Sequence, residues 1–334
     1  MARQKPQQVE PKPFFWIALQ GKPEPQKDRL IFHDRFHGWS GRMELEIEVL
    51  SDYLYVGSGN IDLFPLQGKE QARYTFARCN GQLVIPGTGI KGAVRSVVEA
   101  ISNSCVLQAY YKEKVPRSHR ACRGVKQGQE RRAELCPACR LFGTTGYRGR
   151  VYFSDAVPVG DVQTETIKIA DLWPPRKCRG RKFYQTKEFQ PQQDMRPQKN
   201  YRFIEVVPKG TRFKATLFFD NATTAEMGLL VRALGLTVHP EKEGSVDYAF
   251  PVKIGGAKPR CLGSVRFRPK RIQTLPTSGG DLFQALLTGG GSQGIKAQLL
   301  KWLADTTLLD QQAWEEFREK AKPQTDALCP KEAY

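Results

Sequence analysis

A chain of 334 residues with 52 Lys and Arg against 34 Asp and Glu has a formal charge of +18. Solubility does not require so large an excess, so it points to a polyanionic partner, nucleic acid before an acidic membrane surface. No apolar run nears the ~20 residues of a membrane span, the cations form no amphipathic helix, and no signal peptide is visible, so the expected setting is cytoplasmic with no membrane partner.

Residues 1–41 read as an N-terminal extension. Its first dozen residues are polar and proline-rich, an expected disordered arm. Phe14, Phe15, Trp16, Phe32, Phe36 and Trp39 then predict a strand or two docking on a core. From Arg42 to Val56, Met43, Leu45, Ile47 and Val49 alternate with glutamates, the pattern of a strand with one buried face. Gly57-Ser58-Gly59 would end it, and residues 60–82 read as a polar loop. Leu83-Val84-Ile85 reads as a short buried strand stopped by Pro86. Gly87-Thr88-Gly89 makes a turn into a helix whose Ile90, Ala93, Val94, Val97, Val98 and Ile101 share one face. Lys91 and Arg95 lie four apart on a neighbouring face. Glycines that admit close approach, a helix N-terminus and two cations describe a phosphate seat. It is not an ATP loop, because Gly92 stands where the Walker pattern needs Ser or Thr.

Residues 105–142 are charged and aperiodic, an insertion with little apolar surface of its own. Within it His119, Cys122, Cys136 and Cys139 give H-x2-C and C-x2-C pairs, four donors suited to structural zinc, with Cys105 as a rival fourth ligand. The eight cysteines are too scattered for a disulfide scaffold, and Cys79, Cys178, Cys261 and Cys329 read as ordinary residues. Arg148 to Ala156 predicts a strand. Residues 160–200, including R-K-C-R-G-R-K-F-Y at Arg176 to Tyr184, predict a projecting basic hairpin without its own core. Two strands follow across Tyr201 to Phe219, then a helix over Thr223 to Leu236 ended by Gly235. A glycine-rich basic loop from Gly255 to Gly263 leads into a strand with Val265 and Phe267 on one face, Arg266 and Arg268 on the other. Helices are expected over Asp281 to Leu308, after the Gly289–Gly291 run, and over Gln311 to Lys322, forming a C-terminal helical extension over 272–334. The order predicts an α+β fold, a ferredoxin-like or RRM-like domain over 42–271 with the zinc-bearing insertion and the basic projection, or thumb.

Three segments carry a resemblance. I-P-G-T-G-I-K-G-A-V-R-S (Ile85–Ser96) resembles the I-P-G-S-S-x-K-G-x-x-R motif of the RAMP superfamily of CRISPR-associated proteins. G-G-A-K-P-R-C-L-G-S-V-R-F (Gly255–Phe267) resembles its C-terminal glycine-rich loop, with Cys261 where glycine is usual, and C-P-A-C-R-L-F-G (Cys136–Gly143) is similar to a segment of type III members. The resemblance implies a backbone subunit of a type III, III-D-like, effector complex. It would hold a CRISPR guide RNA against target RNA, beside sibling RAMP subunits and a large signature subunit. The expected RNA contacts are Gly87, Thr88, Gly89, Lys91, Arg95, Arg179, Arg181, Lys182, Phe183, Tyr184, Lys258, Arg260 and Gly263, on the two motifs and the basic projection. The aspartate such subunits use to cut target RNA through its own 2′-hydroxyl would fall at about Gln71, which is not an acid. Asp62 is the candidate in its place. The alternative is a stand-alone RAMP-fold endoribonuclease processing precursor guide RNA with His33 and His37 as acid and base.

Overall fold

The structure is a computed structural model, and it describes residues 12–19, 21, 23, 30–34, 36, 38–106, 115–126, 128, 134–171, 180–275 and 294–332. The N-terminal arm, His37, Arg179, Cys178 and the Gly289–Gly291 run lie outside the described residues. In chain order the main elements begin with β1 (Phe14–Ile17), β2 (Trp39–Val49), β3 (Gly57–Leu66), β4 (Lys69–Phe76), α1 (Gly87–Ile101), α2 (Pro137–Phe142) and β5 (Val151–Phe153). Next come β6 (Glu165–Ala170), β7 (Arg181–Tyr184), β8 (Tyr201–Pro208), β9 (Arg212–Ala222), α3 (Thr224–Ala233), β10 (Val252–Lys253) and β11 (Ser264–Leu275). The chain closes with α4 (Ile295–Ala304), α5 (Gln311–Ala321) and β12 (Gln324–Leu328).

Alternation builds the central sheet. Met43, Leu45, Ile47 and Val49 of β2 are buried, as are Phe213, Leu217 and Phe219 of β9 and Val265 and Phe267 of β11. The strands lie in the order β5-β9-β2-β11-β10, and every neighbouring pair is antiparallel. The path β2-α1-β5-β9-α3-β11 with this order is the ferredoxin-like arrangement, so the expected α+β class holds. α1 and α3 pack together, with α4 against α3 and α5 against α1. Thr223 and Glu226 close a capping box at the start of α3, and a fully buried Arg150–Glu226 ion pair ties that end to the strand region of β5. Gly235, at φ 84°, ends the segment as expected.

At its β5 edge the outward face of this sheet places Tyr152 opposite the exposed Phe218. Glu46 pairs with Lys270 and Arg212, and Glu48 with Arg268. Over β2, β9 and β11 the face is a charge ladder, and its aromatic pair is confined to the β5 edge.

A second sheet, β6-β8-β4-β3, corrects the reading of 60–82 as a loop. β3 and β4 form a hairpin with Asp62 opposite Arg73 and Phe64 opposite Gln71. Gln67 and Gly68 both have positive φ, 51° and 76°, the signature of a two-residue hairpin turn of the primed type. Gly57-Ser58-Gly59 therefore opens a strand. β8 and β9, adjacent in sequence, diverge at Lys209-Gly210 into different sheets.

Residues 180–200 do not stand clear of the body. β7 pairs with β1, and Lys187 and Glu188 pair with β12. Phe183 packs against Phe15 and Phe317, so this stretch shares the main core. The C-terminal segment is fastened by a disulfide between Cys261 and Cys329. This overturns the reading of both as ordinary cysteines. They are 68 residues apart, and no sequence spacing announces the pair.

Candidate functional site

Pro86 stops the preceding strand and stands at the N-cap of α1. Gly87 is glycine because β5 passes so closely that a Cβ would run into the carbonyl oxygen of Phe153. Its N–H donates to Oδ1 of Asp155 at 2.8 Å, and the N–H groups of Gly89 and Ile90 donate to the carbonyl of Pro86. The positive end of the helix already holds the chain's own carboxylate. The phosphate seat expected at Gly87 is thus corrected: that donor is taken. Thr88 and Gly89 are exposed. Lys91 lies half-buried with Nζ 4.8 Å from the Tyr152 ring, and burial, then the charge of Arg95, push its pKa below the ordinary lysine value.

Arg95 turns the other way. Its Nε donates to Glu99 at 2.9 Å, one Nη to the carbonyl of Gly143 at 2.9 Å, and the other to Sγ of Cys139 at 3.3 Å. Expected on RNA, Arg95 is committed inside the protein. Its neighbour is a cluster of four cysteines, Cys105, Cys122, Cys136 and Cys139, whose sulfurs all lie within 4.8 Å of one another. Cys105 arrives from the chain just past α1, and Cys136 and Cys139 flank the first turn of α2. The backbone N–H of Cys136 donates to Sγ of Cys122 at 3.4 Å, as in a tight metal-binding knuckle. Tetrahedral zinc with bonds of ~2.3 Å needs sulfurs about 3.8 Å apart, and the Cys105–Cys139 and Cys105–Cys136 separations are 3.5 and 3.6 Å. Four thiols in one buried knot fit a metal ion. His119 is corrected: it is buried, its Nδ1 meets the Ser118 hydroxyl at 3.0 Å, and it is not in the cluster. Pairing of Val106 with Arg120 fixes that backbone and leaves Cys105 as the fourth donor.

On the far side of α1 the second motif approaches. A cavity of about 90 Å³ is lined by Ala93, Ser96 and Val97 of α1, Lys182 and Tyr184 of β7, Lys253 of β10 and Lys258 of the glycine-rich loop. Phe15, Phe183, Phe250 and Phe317 also line it, and none of the described lining residues is a carboxylate. Lys182 has Nζ 4.0 Å from the Phe14 ring. Lys253 props the loop, donating to the carbonyls of Cys261 and Leu262 at 2.8 and 3.2 Å. Burial pushes the pKa of Lys258 down to about 8 and draws Lys182 and Lys253 below their usual range. Lys182 and Lys258, desolvated and with no carboxylate among the described lining residues, favour an incoming anion, while Lys253 is spent on the loop carbonyls.

Other expected contacts are withdrawn. Arg260 is 2% exposed and donates to the carbonyls of Ala170, Asp171, Pro330 and Glu332; it clamps the C-terminal tail. Arg181 is buried with its guanidinium on the carbonyl of Ser104. Phe183 is in the core. Gly263, at φ 80°, is glycine because a Cβ there would run into the carbonyl of Ile254. Lys253 and Ser96 were missed; Lys253 stands two residues before Gly255, a signal the loop-centred reading passed over.

A family model for the RAMP superfamily matches residues 46–266, well over half of the chain. The chain belongs to the RAMP superfamily. This places it among CRISPR-associated proteins, a family linked to CRISPR RNA binding. No curated protein matches its sequence.

In this RAMP chain a second, open cleft of about 640 Å³ lies beyond the other end of the motif. Asp62, Asn60, Ser58, Thr75, Arg78, Pro86 and Asp155 are among its lining residues. Asp62 sits on the edge strand β3, its Oδ2 3.3 Å from Arg73 and its side chain 56% exposed. Arg78 is held by buried Glu205 at 2.6 and 2.7 Å. Burial opposes the charge on Glu205, yet Arg78, the Phe76 N–H and Thr164 hold its pKa down to about 2. His33 is paired through Nδ1 with Asp220, which also accepts from Ser40 at 3.2 Å. Its suggested partner His37 lies outside the described residues. No described helix is long and apolar enough to cross a membrane.

Proposed function

We propose that this RAMP chain is a guide-RNA-binding backbone subunit of a type III CRISPR effector complex, working in antiviral defence beside sibling subunits. The observation that carries the reading is the cavity where Lys258 of the glycine-rich loop and Lys182 of β7 meet the exposed side of α1, with no carboxylate among its described lining residues. The RNA strand would pass over this lysine cleft, with Lys91, Thr88 and Gly89 extending it toward the start of the helix. The sequence motifs predicted this neighbourhood; the gripping atoms are lysines, while the arginines of the same motifs hold the fold. Binding of guide RNA by the purified chain tests it. Lys182→Ala combined with Lys258→Ala is expected to weaken binding at least tenfold, and unchanged affinity defeats the assignment.

The cysteine cluster is read as a structural zinc site held by the four thiolates, cross-linking the end of α1 to α2. All four positions are protein ligands, so it activates no water.

Asp62 is proposed for target cleavage because it shares its open cleft with Pro86 of the motif. Asp62→Ala in an assembled complex should abolish the cut at each site this subunit serves while leaving guide binding intact. An unchanged cleavage map removes Asp62 from the chemistry. The processing-nuclease alternative is tested by incubating the single chain with repeat RNA. A backbone subunit binds it and leaves it whole.

A further inference from the structure

Phe218 is the exposed large apolar side chain of the central sheet, 42% open to solvent, while its chain neighbours Leu217 and Phe219 are buried in the core. A single exposed ring needs no explanation on a protein surface. This one stands in a row. The register sets it directly opposite Tyr152 of β5 on one side and Arg42 of β2 on the other, and directly opposed side chains share a face. Arg42 is exposed, and its Nε donates to the side chain of Gln273, its own opposite on β11. That bond holds the guanidinium in the row. Tyr152 is braced. Its hydroxyl donates to the carbonyl of Gly149 and accepts from Nε of Arg148 at 2.7 Å. Its ring lies 4.8 Å from Nζ of Lys91 and 5.3 Å from the Arg148 guanidinium.

The row joins the start of α1. β5 passes close against Gly87, and Lys91 reaches over Tyr152. A strand led along α1 by the lysine cleft and Lys91 therefore comes next to Tyr152, with the open ring of Phe218 beyond it. Charge argues what covers that ring. The core of a protein interface is depleted in charged residues, whereas this ring is bracketed by Arg42 and, across Tyr152, by Lys91 and Arg148. Two carboxylates lie near it in register, Asp220 two residues along β9 and Glu44 on the diagonal of β2. Asp220 is taken by His33 and Ser40, and Glu44 stands opposite Arg271. A ring set beside cations that track a phosphate backbone is how single-stranded nucleic acid is held, because every base has a face to stack.

We propose that Phe218 is a stacking site for one unpaired base of the bound RNA, with Tyr152 the braced wall between it and Lys91. The site tolerates any base and selects for strandedness, since a base inside a duplex has its faces covered by its neighbours. The nucleotide held here is therefore not paired to a second strand. The lysines of the cleft grip phosphates, and Phe218 adds a contact that carries no charge.

This inference rests on the guide-RNA reading, and the test keeps the two apart. The probe is a single-stranded oligouridylate containing iodouracil, bound to the purified full chain. Irradiation followed by mass spectrometry should place a cross-link on Phe218, and annealing the complementary strand should abolish it. Phe218→Ala should weaken binding about 5–150-fold, the range for one base–aromatic stack. Its salt slope should match wild type, because no phosphate contact is lost. Phe218→Trp should restore the affinity. Wild-type affinity in Phe218→Ala with no cross-link on Phe218 overturns the stacking site; if Lys182→Ala with Lys258→Ala still weakens binding, the guide-RNA reading survives that loss. A Phe218 cross-link in a chain whose double lysine variant binds as wild type supports the stacking site and removes the cleft. A wild-type chain that binds no single-stranded RNA overturns both. Altered self-association of Phe218→Ala at unchanged RNA affinity would make the ring a contact between copies, which also overturns it. The cross-link needs no variant, so it decides should Phe218→Ala fail to fold.

Discussion

Arg260 and Lys258 stand two residues apart in one loop and do opposite work. The guanidinium of Arg260 spans four backbone carbonyls, tying the loop to β6 and to the tail beyond β12. Arg260→Ala would orphan those acceptors in a buried setting, a loss of about 3–5 kcal/mol. Urea unfolding of the purified chain should show it as a lower midpoint. Lys258→Ala removes no hydrogen bond described in the fold and relieves a desolvated charge, so its midpoint should not fall below wild type while RNA affinity falls. The same lysine sets a pH dependence. Its folded pKa, about 8, lies below the unfolded value, so the folded chain binds fewer protons than the unfolded chain between these pKa values. Stability without RNA should therefore rise as pH climbs from about 8 toward 10. RNA prefers the charged lysine, so affinity should fall over the same range; filter binding at pH 7 and 9 checks it, and Lys258→Arg should remove the drop. These opposed roles mark the limit of sequence reading. Composition reports a cation, but only the fold tells a carbonyl clamp (Arg260, Arg181) or a cysteine-sulfur partner (Arg95) from a free grip.

At the scale of elements, what could be read in the sequence followed periodicity. Buried faces of β2, α1, α3 and β11 alternate or recur as their apolar residues require, and the ferredoxin-like order follows from them. The β3–β4 hairpin escaped because its strands are polar on both sides, with Ile61 and Leu63 exposed. The only signal was Gln67-Gly68, a turn pair less distinctive than Asn-Gly. The cysteine cluster was half legible. The C-x2-C knuckle is local and visible, whereas the choice of Cys105 over His119 depends on where α1 ends. The Cys261–Cys329 bond had no local signal at all. Closing a loop of that length is worth about 4 kcal/mol in the chain-entropy model, and the bond holds β12 against Lys187 and Glu188. Cys329→Ser, or a reducing buffer, should speed amide exchange in residues 324–332 while α1 exchanges as before. Equal exchange with and without reductant would show that Arg260 alone suffices as the latch.

For the whole molecule, the charge of +18 overstates the grip. Arg150, Arg181, Arg232 and Arg260 are buried on internal partners, and cations along β9 and β11 face the glutamates of β2. Five phosphate contacts from the two motifs and the basic stretch would give a log–log salt slope near −3.5. With Arg95, Arg181 and Arg260 committed inside, Lys91, Lys182 and Lys258 remain around α1, and three phosphates correspond to a slope of about −2 for single-stranded RNA. Titrating guide-RNA affinity against salt for the isolated chain measures this. Replacing Lys182 and Lys258 together should reduce the slope by about 1.4, since each neutralised phosphate contributes about 0.7. A slope unchanged by that double replacement would mean that the strand runs elsewhere. The outer face of the central sheet, where β9 and β11 carry their remaining cations, would then be the surface to mutate next.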